Sequence, residues 1–516
     1  MNTTKVDLCV IGSGFGAGPA ALRGIQSGRS VLVLEQGHRY DGRPGSRAFR
    51  QTQGDLDYLM ELFAVDAAFD PARSRLNAVV GGRGLGGGSL VYSMVSLRAP
   101  SFVFDADPWP TEVNRATLDP FYDLAETQLG VTQVTWDGDA DADGWRMASK
   151  RDAAFAAACA AAGVSCDPVP LAINRSCGNL GWCTTGCVRH GKNSVDLRYL
   201  QPAEDLGATL RLGVKAQRID PAPATSGRRW QVQLIRRADG QQQQVLCDEV
   251  VVAAGAVGSP TVLLNSAAAL PGGISSQCGK HLSRGGDILI PVLLPDELGF
   301  EDLEILPGKI IGSCSFHHLF EPPPGHGPSW QPFVIQPMMI LPVISALVVA
   351  DPDGITSDGG DMRSFGLGHK HLMQKWGTRL LHLGVMGVDG MDGEITLSGG
   401  APNVRFATSP ATAALQQGAF AAVRHIFETT VGGRLIPSWE QLPADGLTIH
   451  PLGSCRMAPD PDRGVVDHRC RVFRSDGSTH PGLYVMDAST FSSPVAVNTS
   501  LTAAAISERA MALIDT

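Results

Sequence analysis

The hydrophobic pattern changes period twice in the first thirty-five residues. Val6–Ile11 (VDLCVI) is apolar at all but one position, as a strand buried on both faces requires. A glycine-rich turn and a run of small and apolar residues follow, with Pro19 tolerable only in the first turn of a helix. A second apolar run, Ser30–Leu34, ends on Glu35. The pattern predicts strand, helix, strand. It recurs later: DEVVVAAGAVGSPTVLLNSA reads as a strand, a small-residue turn and a helix with Pro260 near its first turn. GLYVMDASTFSSP reads as a strand ending in Asp487, and a helix follows Asn498. The longest apolar run, Met338–Ala350, is too short for a membrane span, contains Pro342, and predicts a buried strand or pocket wall. PAPATSG near residue 221, QQQQ at 241–244 and EPPPGHGPSW at 321–330 read as hairpin or loop segments. No internal repeat or heptad run is visible.

The first turn carries chemistry. Gly12, Gly14 and Ala17 fill the positions of G-x-G-x-x-G/A. The first glycine permits the tight turn, the second lets backbone approach a pyrophosphate, and the small third residue lets helix and strand pack closely. The helix N-terminus then offers free N–H groups to the anion. Glu35, 23 residues after Gly12, is placed to accept hydrogen bonds from an adenosine ribose. The motif alone fits NAD or FAD. Gly81–Met94 adds six glycines within the eight residues 81–88, which predicts backbone pressed against a flat cofactor.

Composition narrows the class. A chain of 516 residues corresponds to about three units of ~150 residues. The net charge is −9 with both signs interspersed, and no basic run forms a nucleic-acid patch. Eleven cysteines, an odd and scattered set, together with a strand that begins almost at once, predict reduced thiols in the cytoplasm.

In this order, these stretches together with GRGLGGGSL, CTTGCVRHGKNS and HPLGSCRM resemble the glucose-methanol-choline (GMC) flavoprotein oxidoreductases, most of all the bacterial cholesterol-oxidase-like branch. The resemblance covers most of the chain and is strongest over 6–36, 79–98, 176–200, 247–265 and 446–510. It implies an α/β fold (α+β overall) with a discontinuous Rossmann-like FAD-binding domain over 1–45, 76–97, 201–282 and 441–516. A substrate-binding domain and cap built on an antiparallel sheet would take 98–200 and 283–440, and 46–75 would cover the flavin or connect. The implied FAD contacts are Gly12, Ser13, Gly14, Phe15, Gly16 and Ala17 in the first turn, then Glu35 and Gln36. Gly82, Gly86, Gly87, Gly88 and Ser89 follow in the glycine segment, then Val214, Ala254 and Gly255. Asp487, Ala488, Asn498 and Thr499 complete the set. Thr499 stands where the branch often has proline, and Tyr92 where asparagine usually follows the glycine segment.

Oxidising an alcohol removes a proton from oxygen and a hydride from carbon. Histidine suits the proton step near neutral pH, and a second polar group must hold the hydroxyl. By the resemblance, His450 is that base and Asn498 its partner, although Asn498 also suits a helix N-cap. The implied reaction is oxidation of a bulky apolar alcohol (sterol-like, terpene or aromatic), with oxygen or another redox acceptor taking the electrons. A sterol oxidase also carries an acid that moves a double bond, and Asp389, Asp392 and Glu394 are candidates beside a hairpin-turn reading. His317, His318, His369 and His371 have no metal-type partners at clear spacing.

Cys177, Cys183 and Cys187 are spaced C-x5-C-x3-C, with His190 beyond. A zinc site would need tighter paired clips. A three-iron cluster fits the spacing of GMC dehydrogenases that pass electrons to a cytochrome, but those follow the last cysteine with proline, and Val188 stands here. Close packing is the preferred reading, with Gly178, Gly181, Gly186 and Gly191 beside small thiols and no metal bound. The rivals to the oxidase reading are thus an iron–sulfur sugar or alcohol dehydrogenase and a flavin-binding regulator without catalysis.

Overall fold

β1 (Thr4–Ile11) lies between two parallel neighbours, and the rest of the first sheet is built outward from it. The computed structural model describes residues 4–49, 59–66, 77–136, 149–295, 308–327, 329–340, 370, 374, 376–436 and 446–514. α1 (Ala17–Gln26) and β2 (Val31–Glu35) complete the expected β-α-β unit. β3 (Thr209–Leu212) lies parallel to β2. β4 (Val214–Pro221) and β5 (Trp230–Arg236) form an antiparallel ribbon that leads into β6 (Gln242–Val252), the other parallel neighbour of β1. Gln242–Gln244 lie inside that hairpin, paired with Ile235, Leu234 and Gln233.

α2 (Gly255–Ser266) follows β6 directly. Pro260 therefore lies in the helix interior and not in its first turn as the sequence pattern suggested. A proline there leaves the carbonyl four residues back without its usual N–H donor. That carbonyl, of Ala256, accepts instead from the Ser454 hydroxyl, which ties α2 to the HPLGSCRM segment.

The second sheet is antiparallel, in the order β8 (Phe333–Met338), β9 (Leu380–Gly387), β7 (Ile288–Leu293), with Arg434–Leu435 at the far edge. Its two faces separate at a period of two. Phe333 and Ile335 of β8, with Leu381, Leu383 and Val385 of β9, join an apolar cluster with Leu415 and Ala419 of α3 (Pro410–Val423). Gln336, Met338, Gly384 and Met386 line the cavity between the sheets. Met338–Ile340 line it too, as the apolar-run reading anticipated, while 341–350 lie outside the described residues.

The chain then returns to the first sheet. β10 (Arg471–Phe473) pairs antiparallel with β11 (Thr479–Val485), and β11 lies parallel to β6. α4 (Ser500–Ile514) packs against α1, where Arg23 meets Glu508 at 2.7 Å. The sheets therefore combine a doubly wound parallel core with a separate antiparallel wall, the α/β architecture the sequence implied. No described helix is long and apolar enough to cross a membrane.

Candidate active site

A cavity of about 470 Å³ runs from the Gly12–Gly16 turn to the face of β7–β9. Its nucleotide end is shaped by backbone that tolerates no side chain. A Cβ on Gly12 (φ +102°) would lie 2.2 Å from the Ala253 carbonyl oxygen, and one on Gly16 would lie 1.6 Å from that of Met486. Gly14, Gly88 and Gly255 differ, because a Cβ there would meet no protein atom within 4 Å and all three line the cavity. Bare backbone over open space beside the start of α1 fits a pyrophosphate, and the residues suit the dinucleotide half of FAD.

The glycine segment has a second purpose that the sequence did not reveal. A Cβ on Gly87 would sit 2.8 Å from Gly14 Cα, and one on Gly37 would sit 2.5 Å from the Gly84 nitrogen. Gly81, Gly82, Gly87 and Gly88 line the cavity, and Gly87 at the same time lets backbone pack on backbone. Ala17, Gly86 and Ser89 do not line the cavity; Ser89 Oγ accepts from Val195 N at 2.9 Å and donates to Gly86 O at 2.7 Å. Phe15, Gln36, Gly82, Val214, Ala254, Ala488 and Thr499 do line it.

Two buried carboxylates staple this end. Glu35 Oε2 accepts from Ser13 Oγ at 2.5 Å, and Oε1 accepts from Gly37 N at 2.7 Å and Gly84 N at 3.2 Å. Asp487 Oδ2 accepts from Gly255 N at 2.8 Å and Ser259 Oγ at 2.5 Å, while Oδ1 accepts from Ser489 N at 2.8 Å. Burial pushes the Asp487 carboxyl above the usual range, and these donors oppose the shift. Both acids face the cavity and also hold its walls together.

At the opposite end His450 and Asn498 stand together, with His450 Nε2 3.4 Å from Asn498 Nδ2. The structure adds two residues that the sequence reading missed. Asp287 Oδ1 lies 2.7 Å from His450 Nδ1, and its Oδ2 accepts from Ile449 N at 2.8 Å, His450 N at 3.0 Å and Thr448 Oγ1 at 3.1 Å. Gln336 Nε2 donates to Asn498 Oδ1 at 3.0 Å. All four residues line the cavity. Asp287 is preceded by Gly285 (φ +70°) and Gly286 (φ +65°), and a Cβ on Gly285 would sit 2.7 Å from His450 Cβ. A glycine pair just before a strand-opening acid was the available signal. The helix-capping alternative for Asn498 does not hold, because Thr499 O accepts the first helical bond from Ala503 N and the Asn498 amide is engaged elsewhere.

The three acids considered for moving a double bond belong to other structures. Asp389 accepts from Ser283 Oγ at 3.0 Å, Arg284 N at 2.8 Å and Met391 N at 3.0 Å. Asp392 accepts from Ser409 N at 2.8 Å and Thr412 Oγ1 at 2.7 Å and anchors the start of α3. Glu394 is exposed, and none of the three lines the cavity.

Cys177, Cys183 and Cys187 border a separate cavity of about 20 Å³ with Lys192 and Lys309. Its size is that of roughly one water. Gly191 permits the approach, since a Cβ there would lie 2.5 Å from Cys177 Cα. Burial pushes Cys183 up to about 12 and draws Lys192 down to about 8. Among the described residues no three His, Cys, Asp or Glu side chains stand together as ligands for one metal ion. Thr184, next in sequence to Cys183, lines the large cavity. His317 and His318 are adjacent rings with no cavity contact, and His369 and His371 lie outside the described residues.

Comparison with known proteins agrees with this geometry. Residues 49–283 and 390–507 match the two parts of the GMC oxidoreductase family description. Cholesterol oxidase of Acinetobacter baumannii is 25% identical, with 100% of this chain and 95% of that protein covered. The 6'''-hydroxyparomomycin C oxidase of Streptomyces lividus is 29% identical over half of each chain. The crystal structure of pyridoxine 4-oxidase from Mesorbium loti superposes with a TM-score of 0.66 at 17% identity, covering 100% of this chain and 99% of that one.

Substitutions at the two ends of the cavity should separate by their readouts. Gly14→Ala should leave thermal unfolding of the apoprotein unchanged yet abolish FAD retention. Gly16→Ala should instead destabilise the fold itself, by about 1–3 kcal/mol or more, read as a lower unfolding midpoint. Asp287→Asn should slow anaerobic flavin reduction by on the order of 10²-fold or more, as losing the partner of a catalytic imidazole does. The flavin spectrum should be unchanged, and Asp287→Glu should recover part of the rate. Equal rates in Asp287→Asn and the parent would show that the Asp287–His450 bond is idle.

Proposed function

The chain belongs to the GMC oxidoreductase family and is an FAD-dependent enzyme acting on CH–OH donors, and from that premise we propose that His450 is its base and Asn498 its hydroxyl-holding partner. We further propose that it oxidises a bulky, largely apolar alcohol to the ketone or aldehyde and passes the electrons to oxygen. Bound FAD supplies the acceptor for the hydride that leaves the carbinol carbon. The protein's residues handle the proton and the geometry.

The observation that carries the reading is the Asp287–His450–Asn498 arrangement at the cavity wall. A carboxylate on Nδ1 keeps the ring proton there and leaves Nε2 with a lone pair. Asn498 Nδ2 lies beside that lone pair, so a hydroxyl placed between them loses its proton to His450 while its oxygen accepts from Asn498. Holding the oxygen from two sides fixes the direction of the C–H bond. The apolar-substrate part rests on the wall facing these residues, where Leu289, Ile311, Met338, Met339, Ile340 and Met386 line the cavity. Flexible methionines suit a pocket that adapts to a bulky hydrocarbon body.

His450→Ala should retain FAD and lose anaerobic flavin bleaching by roughly 10²–10⁴-fold, the usual range for removing a general base. Unchanged reduction kinetics would remove His450 from the mechanism. The substrate class is tested on the parent enzyme with cholesterol, cinnamyl alcohol, geraniol and glucose; bleaching by glucose alone would overturn the apolar reading.

A second reading, an iron–sulfur dehydrogenase, is favoured by one observation: all three spaced cysteines border one small cavity. A multi-iron cluster spreads its thiolates over several irons, which is a different demand from a single-ion site. Iron and sulfide analysis with EPR on anaerobically purified enzyme separates the two readings. The oxidase reading expects FAD without iron and steady oxygen uptake with alcohol. The dehydrogenase reading expects about three irons per FAD, a cluster signal, and dye reduction without oxygen uptake.

A further inference from the structure

The hydrogen-bond roles at the catalytic end form a chain in which each assignment forces the next. Asp287 Oδ2 accepts from the backbone N–H groups of Ile449 and His450, and Asp287 Oδ1 faces His450 Nδ1 at 2.7 Å. The ring proton therefore sits on Nδ1, and Nε2 is an acceptor. The Asn498 amide atom 3.4 Å from Nε2 must then be its NH₂, which turns Oδ1 the other way. The group that meets Oδ1 at 3.0 Å must donate, so it is Gln336 Nε2.

Gln336 is fully buried in β8, opposite Gly384 of β9, and its own Oε1 has no hydrogen-bond partner. A buried amide with an unbonded carbonyl is unfavourable, and leucine would avoid the cost. What the amide does instead is donate to Asn498.

We infer that Gln336 is a positioning residue that sets which face Asn498 turns to the substrate. The inference rests on His450 and Asn498 being the catalytic pair. With the Gln336 N–H holding Oδ1, Asn498 offers a donor to the hydroxyl oxygen and leaves the hydroxyl proton free for His450. Turned over, Asn498 would offer a carbonyl that competes with His450 for that same proton.

Gln336→Glu tests this through the sign of a pH effect. In its neutral form the introduced carboxyl has an O–H that donates to Asn498 Oδ1 as glutamine does. Once ionised it can only accept, and Asn498 must turn its NH₂ away from His450. Burial raises such a carboxyl's pKa, which brings the change into the working range. Anaerobic flavin reduction is measured from pH 5 to 9 with the panel alcohol that bleaches the parent fastest, and is expressed as the variant-to-parent ratio. The ratio is expected to fall about tenfold or more as pH rises, although general-base catalysis by itself favours higher pH. A ratio independent of pH, at whatever level, overturns the inference. Gln336→Leu should keep FAD and lose a similar factor at every pH; parent-like rates in it also overturn the inference. In an Asn498→Ala background, adding Gln336→Glu should produce no pH-dependent ratio; a fall that persists there overturns the inference. If Asn498→Ala alone leaves reduction unchanged, the catalytic-pair reading fails, and the inference falls with it.

Discussion

The Asp287 carboxylate organises the His450 end of the cavity because backbone N–H groups and the His450 ring converge on it. One oxygen is held by two backbone N–H groups and a hydroxyl from the 448–450 turn, and the other by the His450 ring. A fixed acceptor leaves a fixed proton, and the fixed proton leaves a bare nitrogen toward the cavity. The turn that carries His450 is thus anchored to the first residues of the substrate sheet through the acid that orients its side chain. Gly285 makes this possible, since any Cβ there would overlap the His450 backbone and Cβ. The start of β7 and the loop that carries His450 are therefore joined through this acid, beside the paired backbones of Ser283 and Leu452 and the Thr448 hydroxyl on the Arg284 carbonyl.

The nucleotide end uses the same economy. Glu35 joins the first turn, the end of β2 and the glycine segment; Asp487 joins the end of β11 to the start of α2. Each acid is a wall of the cavity and a clamp between segments far apart in sequence. A substitution at either would loosen the cradle as well as change its lining, so loss of flavin alone would not distinguish the two effects.

What was legible in the sequence was local. The first β-α-β unit depends on residues within thirty positions of one another, and its period and glycine spacing survive without tertiary context. His450 and Asn498 were legible because each sits in a distinctive short motif. Asp287 and Gln336 were not: they reach His450 and Asn498 across 163 and 162 positions, from the entry to one apolar strand and the middle of another, where only the glycine pair before Asp287 stood out. Pro260 was misplaced for a related reason, since the Ser454 hydroxyl that tolerates it is contributed from 198 residues away from the Ala256 carbonyl. Of the six glycines, Gly81, Gly82, Gly87 and Gly88 line the cavity, while the backbone contacts that Gly82 and Gly87 also make are ones no local rule brings together.

The thiol site can be weighed by the same accounting of donors and charge. Lys192 lies over the ring of Tyr92 at 5.4 Å and donates to the carbonyls of Leu90 at 2.5 Å and Cys183 at 2.7 Å. Tyr92 and Thr184 line the large cavity. Burial works against the ammonium and is the largest influence on Lys192, drawing it down to about 8. Charge on Cys183 or Cys187 acts in the opposite direction and holds the lysine protonated. Lys309 responds to charge on Cys177 and Cys183 in the same sense. Bare thiols therefore leave burial as the dominant influence on both ammonium groups, and thiolates bound to a cluster would supply the charge that opposes it.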